Sequence, residues 1–217
     1  YESRFPDQAD DSLFNLDWIK QAENSNFKIL DNLKLELKNL NELKTKRNQL
    51  SEGVYKLELQ NIESELKKYR FIISCDPAEA GLDETVIYWG INYENYYKIT
   101  GYYTEAKSDP MKVVGKIINI LQEHRPKEIR CVINIDRIGI GSGSLSRLKE
   151  VISERNIDNV KVTGCHFGEK AIKSDIFQNK KAENYFRTSD LFREGYIDIP
   201  QKHKLRKQLM NEKWERT

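Results

Sequence analysis

The stretch Arg70–Tyr93, RFIISCDPAEAGLDETVIYWGINY, holds an apolar run that ends in Asp76 and a second apolar run that begins just after Asp83. Both runs are rich in β-branched and aromatic residues, so they read as neighbouring strands with an acid at each facing edge. The pattern extends outwards from there. Strands are predicted at 71–75, 85–93 and 96–103, the last two joined by a tight turn in NYEN, Asn92–Asn95. An amphipathic helix is predicted over 110–124 from the spacing of Val113, Val114, Ile117, Ile118 and Leu121. A strand at 129–135, a glycine-rich loop, a helix at 144–155, a strand at 160–166, a helix near 177–194 and a short strand at 196–199 complete the series.

Three strands in succession, followed by alternating helices and strands, predict an α/β fold: a ribonuclease H-like mixed sheet flanked by helices. In that order the first strand is central and the fourth lies parallel beside it. Asp76 and Asp136 then emerge side by side at one edge of the sheet. Two carboxylates that close repel each other unless a cation lies between them. Hard oxygen donors of this kind select Mg2+ or Mn2+, ions that activate water for phosphodiester hydrolysis. Asp76 and Asp136 are therefore the candidate metal ligands, and Asp83 is an auxiliary acid at the lip of the next strand. In INIDRIGIGSGS, Ile133–Ser144, Asp136 closes an apolar strand, Gly139, Gly141 and Gly143 permit a close backbone approach, and Ser142 or Ser144 is a candidate helix cap. Such loops also build phosphate sites, although GxGxG falls short of the dinucleotide fingerprint.

Several stretches together resemble the C-terminal nuclease domain of the large terminase subunit of tailed bacteriophages. SCDPAEAGLDETVIYWG (Ser74–Gly90) resembles its first acidic motif, and VINIDRIGIGSGSLSRLKE (Val132–Glu150) its second. VTGCHFGEKA, FQNKKAENYFRTSDLFREGYIDIP and LRKQL resemble the downstream part of that domain, and SRFPDQADDSLFNLDWIKQA resembles the segment where the family's ATPase domain ends. The resemblance implies a metal-dependent endonuclease that cuts concatemeric double-stranded DNA during viral packaging. It also implies Mg2+ or Mn2+ as cofactor, the small terminase subunit and the portal protein as partners, and the cytoplasm of an infected or prophage-carrying bacterium as location. Asp76, Asp136 and Asp83 map onto its catalytic acids. The family's third metal-binding Asp lies beyond the LRKQL region, so the resemblance implies a C-terminally truncated site; Asp175, Asp190 and Asp198 are possible substitutes. No GxxxxGK followed by Ser or Thr occurs, so no ATPase phosphate loop is present.

The resemblance also sets the expected organisation. Residues 1–26 read as a connector from an ATPase domain, residues 27–69 as a helical insert or hairpin, and residues 70–217 as the nuclease domain. The insert is rich in Leu, Lys, Glu and Asn, with a stripe at Leu33, Leu37, Leu40, Leu50, Val54 and Leu57, sufficient to pair its own halves as an appendage. Lacking an initial Met, the sequence reads as part of something longer.

Charge and cysteines narrow the classes further. The net charge is +2, but residues 167–217 hold 12 Lys/Arg against 8 Asp/Glu. Lys170, Lys173, Lys180 and Lys181 fall in this basic portion and are candidate contacts to a DNA backbone. Cys75, Cys131 and Cys165 sit singly in apolar runs without CxxC spacing, which reads as buried thiols in a reducing compartment. No segment has the run of about 20 apolar residues that spans a membrane. His124 and His203 are expected to face solvent. Two other readings share these features: a DNA-binding or docking module of the same fold without catalysis, and an actin-like or sugar-kinase-like ATPase. The second requires a Gly-, Thr- and Ser-rich phosphate hairpin between the first two strands, which AEAGLDET imitates poorly.

Overall fold

The computed structural model describes residues 12–78, 83–106 and 108–213. In chain order the elements are α1 (Leu16–Asn24), α2 (Ile29–Thr45), a 3-10 turn (Arg47–Gln49), α3 (Glu52–Leu66), β1 (Tyr69–Asp76), β2 (Glu84–Tyr93) and β3 (Tyr96–Ala106). They continue with α4 (Pro110–His124), β4 (Arg130–Asp136), α5 (Gly141–Glu154), β5 (Val160–Cys165), α6 (Lys180–Arg193), β6 (Ile197–Asp198) and α7 (His203–Asn211). The chain divides into a larger unit, 27–166, and a smaller one built from 1–26 and 167–217. No helix among the described residues is long and apolar enough to cross a membrane.

In the larger unit the strands are ordered β5-β4-β1-β2-β3. β1 runs antiparallel to β2 and parallel to β4, β2 is antiparallel to β3, and β4 is parallel to β5. This is the predicted mixed sheet. Tyr69, Phe71, Ile73 and Cys75 of β1 are buried on one face, while Arg70, Ser74 and Asp76 are exposed on the other. Cys131, Ile133 and Ile135 of β4 and Ile87 and Ile91 of β2 join the buried face, against Val113, Val114, Ile117, Ile118 and Leu121 of α4 and Leu148 and Val151 of α5. α4 begins where its sequence places it: Pro110 fills the first turn, and the Asp109 carboxylate accepts the N–H groups of Met111 (2.8 Å) and Lys112 (2.9 Å).

The insert is a pair of helices joined at the 3-10 turn, and Ser51 caps α3 by accepting from the Val54 N–H. Its apolar stripe does more than pair its own halves. Ile29, Leu33, Leu40 and Leu66 belong to the same buried cluster as Phe71, Ile73 and Ile117. Tyr93 Oη donates to Glu65 Oε1 at 2.8 Å, and the rings of Tyr69 and Tyr93 lie 4.6 Å apart beneath the hairpin. Val54 and Leu57, read from sequence as part of the stripe, are instead exposed. His124 is exposed, as expected, and one side of its ring stacks on Trp89 at 5.2 Å.

The smaller unit draws on both ends of the described chain. Phe14 meets Phe192 edge-on at 5.3 Å, and Ser189 Oγ donates to the Leu13 carbonyl at 2.6 Å. Ser12 pairs with Lys213 in an antiparallel bridge. The buried Glu23 accepts both Nε–H and Nη2–H of Arg206, while the buried Glu183 accepts from Ile172 N–H and Arg187 Nη2–H. Glu23 and Glu183 are thus each matched by a guanidinium, as burial of charge requires.

Candidate active site

The register of β1 against β4 decides where the acids meet. Cys75 is level with Ile135, so the next residues, Asp76 and Asp136, are level at the carboxyl ends of two parallel strands. Neighbouring strands lie about 4.8 Å apart, and residues level in a parallel pair share a face. Both carboxylates therefore lie on the face opposite the core. Asp76 is accessible at the sheet edge, yet burial by its surroundings raises its carboxyl above the ordinary carboxylate range, and the charges of Asp136 and then Asp83 raise it further. Asp83 stands immediately before β2 and is exposed. Electrostatically, the three sequence-predicted acids form one neighbourhood.

The backbone around the pair is tightly constrained. A Cβ on Gly141 would lie 1.7 Å from the Asp136 carbonyl oxygen and 3.2 Å from Pro77 Cγ, so the first turn of α5 rests directly on the ends of β4 and β1. Gly139 turns the chain into that helix with φ of +57°. Gly143 is different, since its added Cβ would make an ordinary 3.5 Å contact with Pro110. Neither Ser142 nor Ser144 caps the helix: α5 begins at Gly141, and Ser144, fully buried, donates Oγ–H back to the Ile140 carbonyl at 3.1 Å. Asp136 Oδ1 accepts the Ile138 N–H at 3.1 Å, which leaves its second oxygen for other work.

This geometry gives a sharp pair of expectations. Gly141→Ala is expected to cost about 3 kcal/mol or more, because backbone rather than a flexible side chain must move, and to lower the melting temperature by roughly 6–12 °C. Gly143→Ala, inside the same helix, is expected to be neutral or to stabilise by up to about 1 kcal/mol. Thermal melts of the two variants side by side check both.

Thr85 is a site residue that the sequence reading missed. It is buried, its Oγ1 accepts from Ala78 N–H at 2.9 Å and donates to the Ala78 carbonyl at 3.2 Å, and it thereby fastens the chain leaving Asp76 to the start of β2. A threonine just after an acid at a strand start is the only signal, and that pattern is common. Residues 79–82, within the segment where a kinase-like phosphate hairpin is expected, lie outside the described residues.

Cys75 and Cys131 lie on the core side of the same strands, and burial raises both thiols to about 12; the Asp76 charge adds to the effect on Cys75. None of the three cysteines is disulfide-bonded. The four candidate lysines belong to the smaller unit. Lys180 is paired with Glu169, the Lys181 ammonium lies over the Tyr185 ring at 5.7 Å, and Lys170 and Lys173 are exposed. Of the substitute acids there, Asp190 pairs with Arg193 at 2.6 Å, Asp198 is buried in β6 and Asp175 lies exposed in a turn. Among the described residues no group of three or more His, Cys, Asp or Glu is gathered closely enough to hold a metal ion. The donor set of the pair still suits a hard divalent cation: two adjacent carboxylates, one of them resisting ionisation through burial first and the charge of the other second.

No protein-family model and no curated protein sequence matches the chain. Solved structures do. The nuclease domain of the large terminase subunit gp2 of bacterial virus Sf6 aligns over 92% of this chain and 81% of its own, with a TM-score of 0.56 and 12% identity. A variant of the same domain, determined with manganese and beta-thujaplicinol, aligns over the same shares with a TM-score of 0.57 and 12% identity. At that identity what is shared is the fold, and this chain has the ribonuclease H-like fold of a phage terminase large-subunit nuclease domain.

Proposed function

We propose that this chain is the nuclease portion of a viral DNA-packaging terminase, a metal-dependent endonuclease that cuts concatemeric double-stranded DNA in the cytoplasm of its bacterial host. The observation that carries this reading is the level pairing of Asp76 and Asp136 at the ends of parallel β1 and β4, with mutual charge repulsion already present. Asp76 and Asp136 would hold Mg2+ or Mn2+, which would supply Lewis acidity and a more acidic water for two-metal phosphodiester hydrolysis. Asp136 keeps its orientation through the Ile138 N–H, and Asp83 adds negative charge at the rim.

Lys170, Lys173, Lys180 and Lys181 contact the DNA backbone in this reading. Lys170 and Lys173 contribute most, since Glu169 already neutralises Lys180. The fold shared with the nuclease domain of the Sf6 large terminase subunit supports the nuclease reading; on that reading double-stranded DNA is the substrate, and the small terminase subunit and portal protein are the partners.

A second reading, a DNA-binding module without catalysis, is favoured by one observation: among the described residues no group of three or more acids is gathered closely enough to hold a metal ion. One assay separates the two. The chain is incubated with supercoiled plasmid in Mn2+ and in EDTA, and the products are resolved on a gel. Nicked and linear DNA only in Mn2+, across unrelated plasmids, is the expected result. Retention of plasmid without cutting in either condition supports the binding module and overturns the nuclease.

A further inference from the structure

The same sheet face has a second chemical feature at its other end. Arg70 of β1 is level with Arg130 of β4, and Lys161 of β5 is level with Val132, two residues further along β4. All three side chains therefore share the face that carries Asp76 and Asp136, and all three residues are exposed. They line a cavity of ≈ 460 Å³ together with Val132, Val160 and Asn159, and no carboxylate lines it. Among the described residues none of the three forms an ion pair.

A fourth cation stands at this corner. Arg125 Nη2 donates to the carbonyls of Ile129 (3.2 Å) and Asp158 (2.8 Å), and its Nε–H is buried without a partner. Its charge reaches Cys131, another residue of the cavity wall. Like charges level on adjacent strands repel, whereas a cation such as Arg147 on α5 is matched by Glu150 and Glu154. An unmatched group of this kind fits an anion that arrives from outside.

We propose that Arg70, Arg130 and Lys161 form a phosphate-backbone site for nucleic acid, at the opposite end of the sheet face from the acid pair. Guanidinium forks suit phosphate oxygens, and the row from Arg70 to Lys161 spans about 10 Å across three strands. Each strand of a duplex carries one phosphate per about 3.4 Å of axis, so the row meets two or three of them. The cavity offers no aromatic side chain for base stacking or for the buried anchor typical of a protein partner. Six residues of β1 separate Arg70 from Asp76, about 20 Å, so backbone held here lies roughly six base pairs from the acids. The site rests on the nuclease reading only for the choice of duplex DNA as the probe.

The test measures binding without metal, so that cutting plays no part. Anisotropy of a fluorescent DNA duplex is followed in EDTA across a salt titration, for the 217-residue chain and for the triple variant Arg70→Gln, Arg130→Gln, Lys161→Gln. The side chains are exposed, so melting temperatures are expected to match. Affinity is expected to fall about 10-fold or more, and the slope of log affinity against log salt to shrink by roughly 0.9 per residue changed. Unchanged affinity and slope in the triple variant overturn the proposal. So does polyglutamate that binds more tightly than the duplex and depends on the same three residues, which marks an acidic protein as the ligand. Loss of Mn2+-dependent cutting in Asp76→Asn, with the triple variant still binding normally, leaves the nuclease reading standing while this site falls.

Discussion

Replacing Asp76 or Asp136 by Asn is expected to reduce Mn2+-dependent nicking of plasmid DNA by 100-fold or more while the fold persists. Each substitution keeps the shape of the side chain and removes the charge that holds the cation, and misplacement of a reacting group by about 1 Å already costs on the order of 100-fold. A binding readout accompanies the kinetic one. Mn2+ at about 100 times its dissociation constant stabilises a binding fold by about 2.7 kcal/mol, or roughly 5–10 °C for a chain of this size. That rise is expected in the parent chain and absent in both variants.

In the metal-free state the effect of Asp76→Asn on stability runs the other way. Burial and two neighbouring carboxylates raise the folded-state pKa of Asp76. The folded chain therefore holds this proton more tightly than the unfolded chain, and stability falls as pH rises from the ordinary carboxylate pKa through the raised one. At neutral pH the charged Asp76 works against the fold, so the Asn variant is expected to melt higher than the parent in EDTA. At a pH below the ordinary carboxylate pKa the difference is expected to vanish. Full cutting by either variant removes the pair from the mechanism.

Deleting residues 27–66 behind a short linker is expected to abolish cooperative unfolding of the larger unit. The excision takes Ile29, Leu33, Leu40 and Leu66 out of the buried cluster and uncovers Tyr69, now a fully covered strand residue whose phenol burial pushes up to about 12. Each buried Leu or Ile contributes about 1.5–3 kcal/mol, so the four together contribute about 6–12 kcal/mol. The whole stability of a typical domain is about 5–15 kcal/mol. Little is left to hold the sheet. Calorimetry of the excised chain checks this: one sharp endotherm at the parent temperature shows that the hairpin is dispensable, and a broad or absent transition shows that it completes the core.

The strand order and both metal-binding candidates were legible because they depend on local pattern. Asp76 and Asp136 end apolar runs, and α4 announces itself with Asp109, Pro110 and an apolar stripe. Features that depend on what stands opposite were not legible. The leucines of α2 read as self-sufficient because spacing reveals a face and not its neighbour. The start of α5 at Gly141 is set by the Asp136 carbonyl beneath it, a contact that serine propensities do not reveal. α7 went unread because none of its residues is buried, so no stripe marks it. Arg70 and Arg130 are 60 residues apart and become a pair only when the register of β1 against β4 is known.

The smaller unit has a consequence for the birth of the protein. Ser189 and the backbone of Leu13 are separated by 176 residues, and their hydrogen bond joins the first described segment to one of the last. At about 5–20 residues per second, a ribosome needs roughly 9–35 s to travel that interval. Over that interval Leu13, Phe14 and Ile19 have no Phe192 to cover them, whereas the larger unit, residues 27–166, is complete before Phe192 is made. The order of synthesis thus has the sheet and its acids assembled first and the flanking unit closed last. A chaperone that recognises short apolar segments has a long opportunity at Leu13, Phe14 and Ile19.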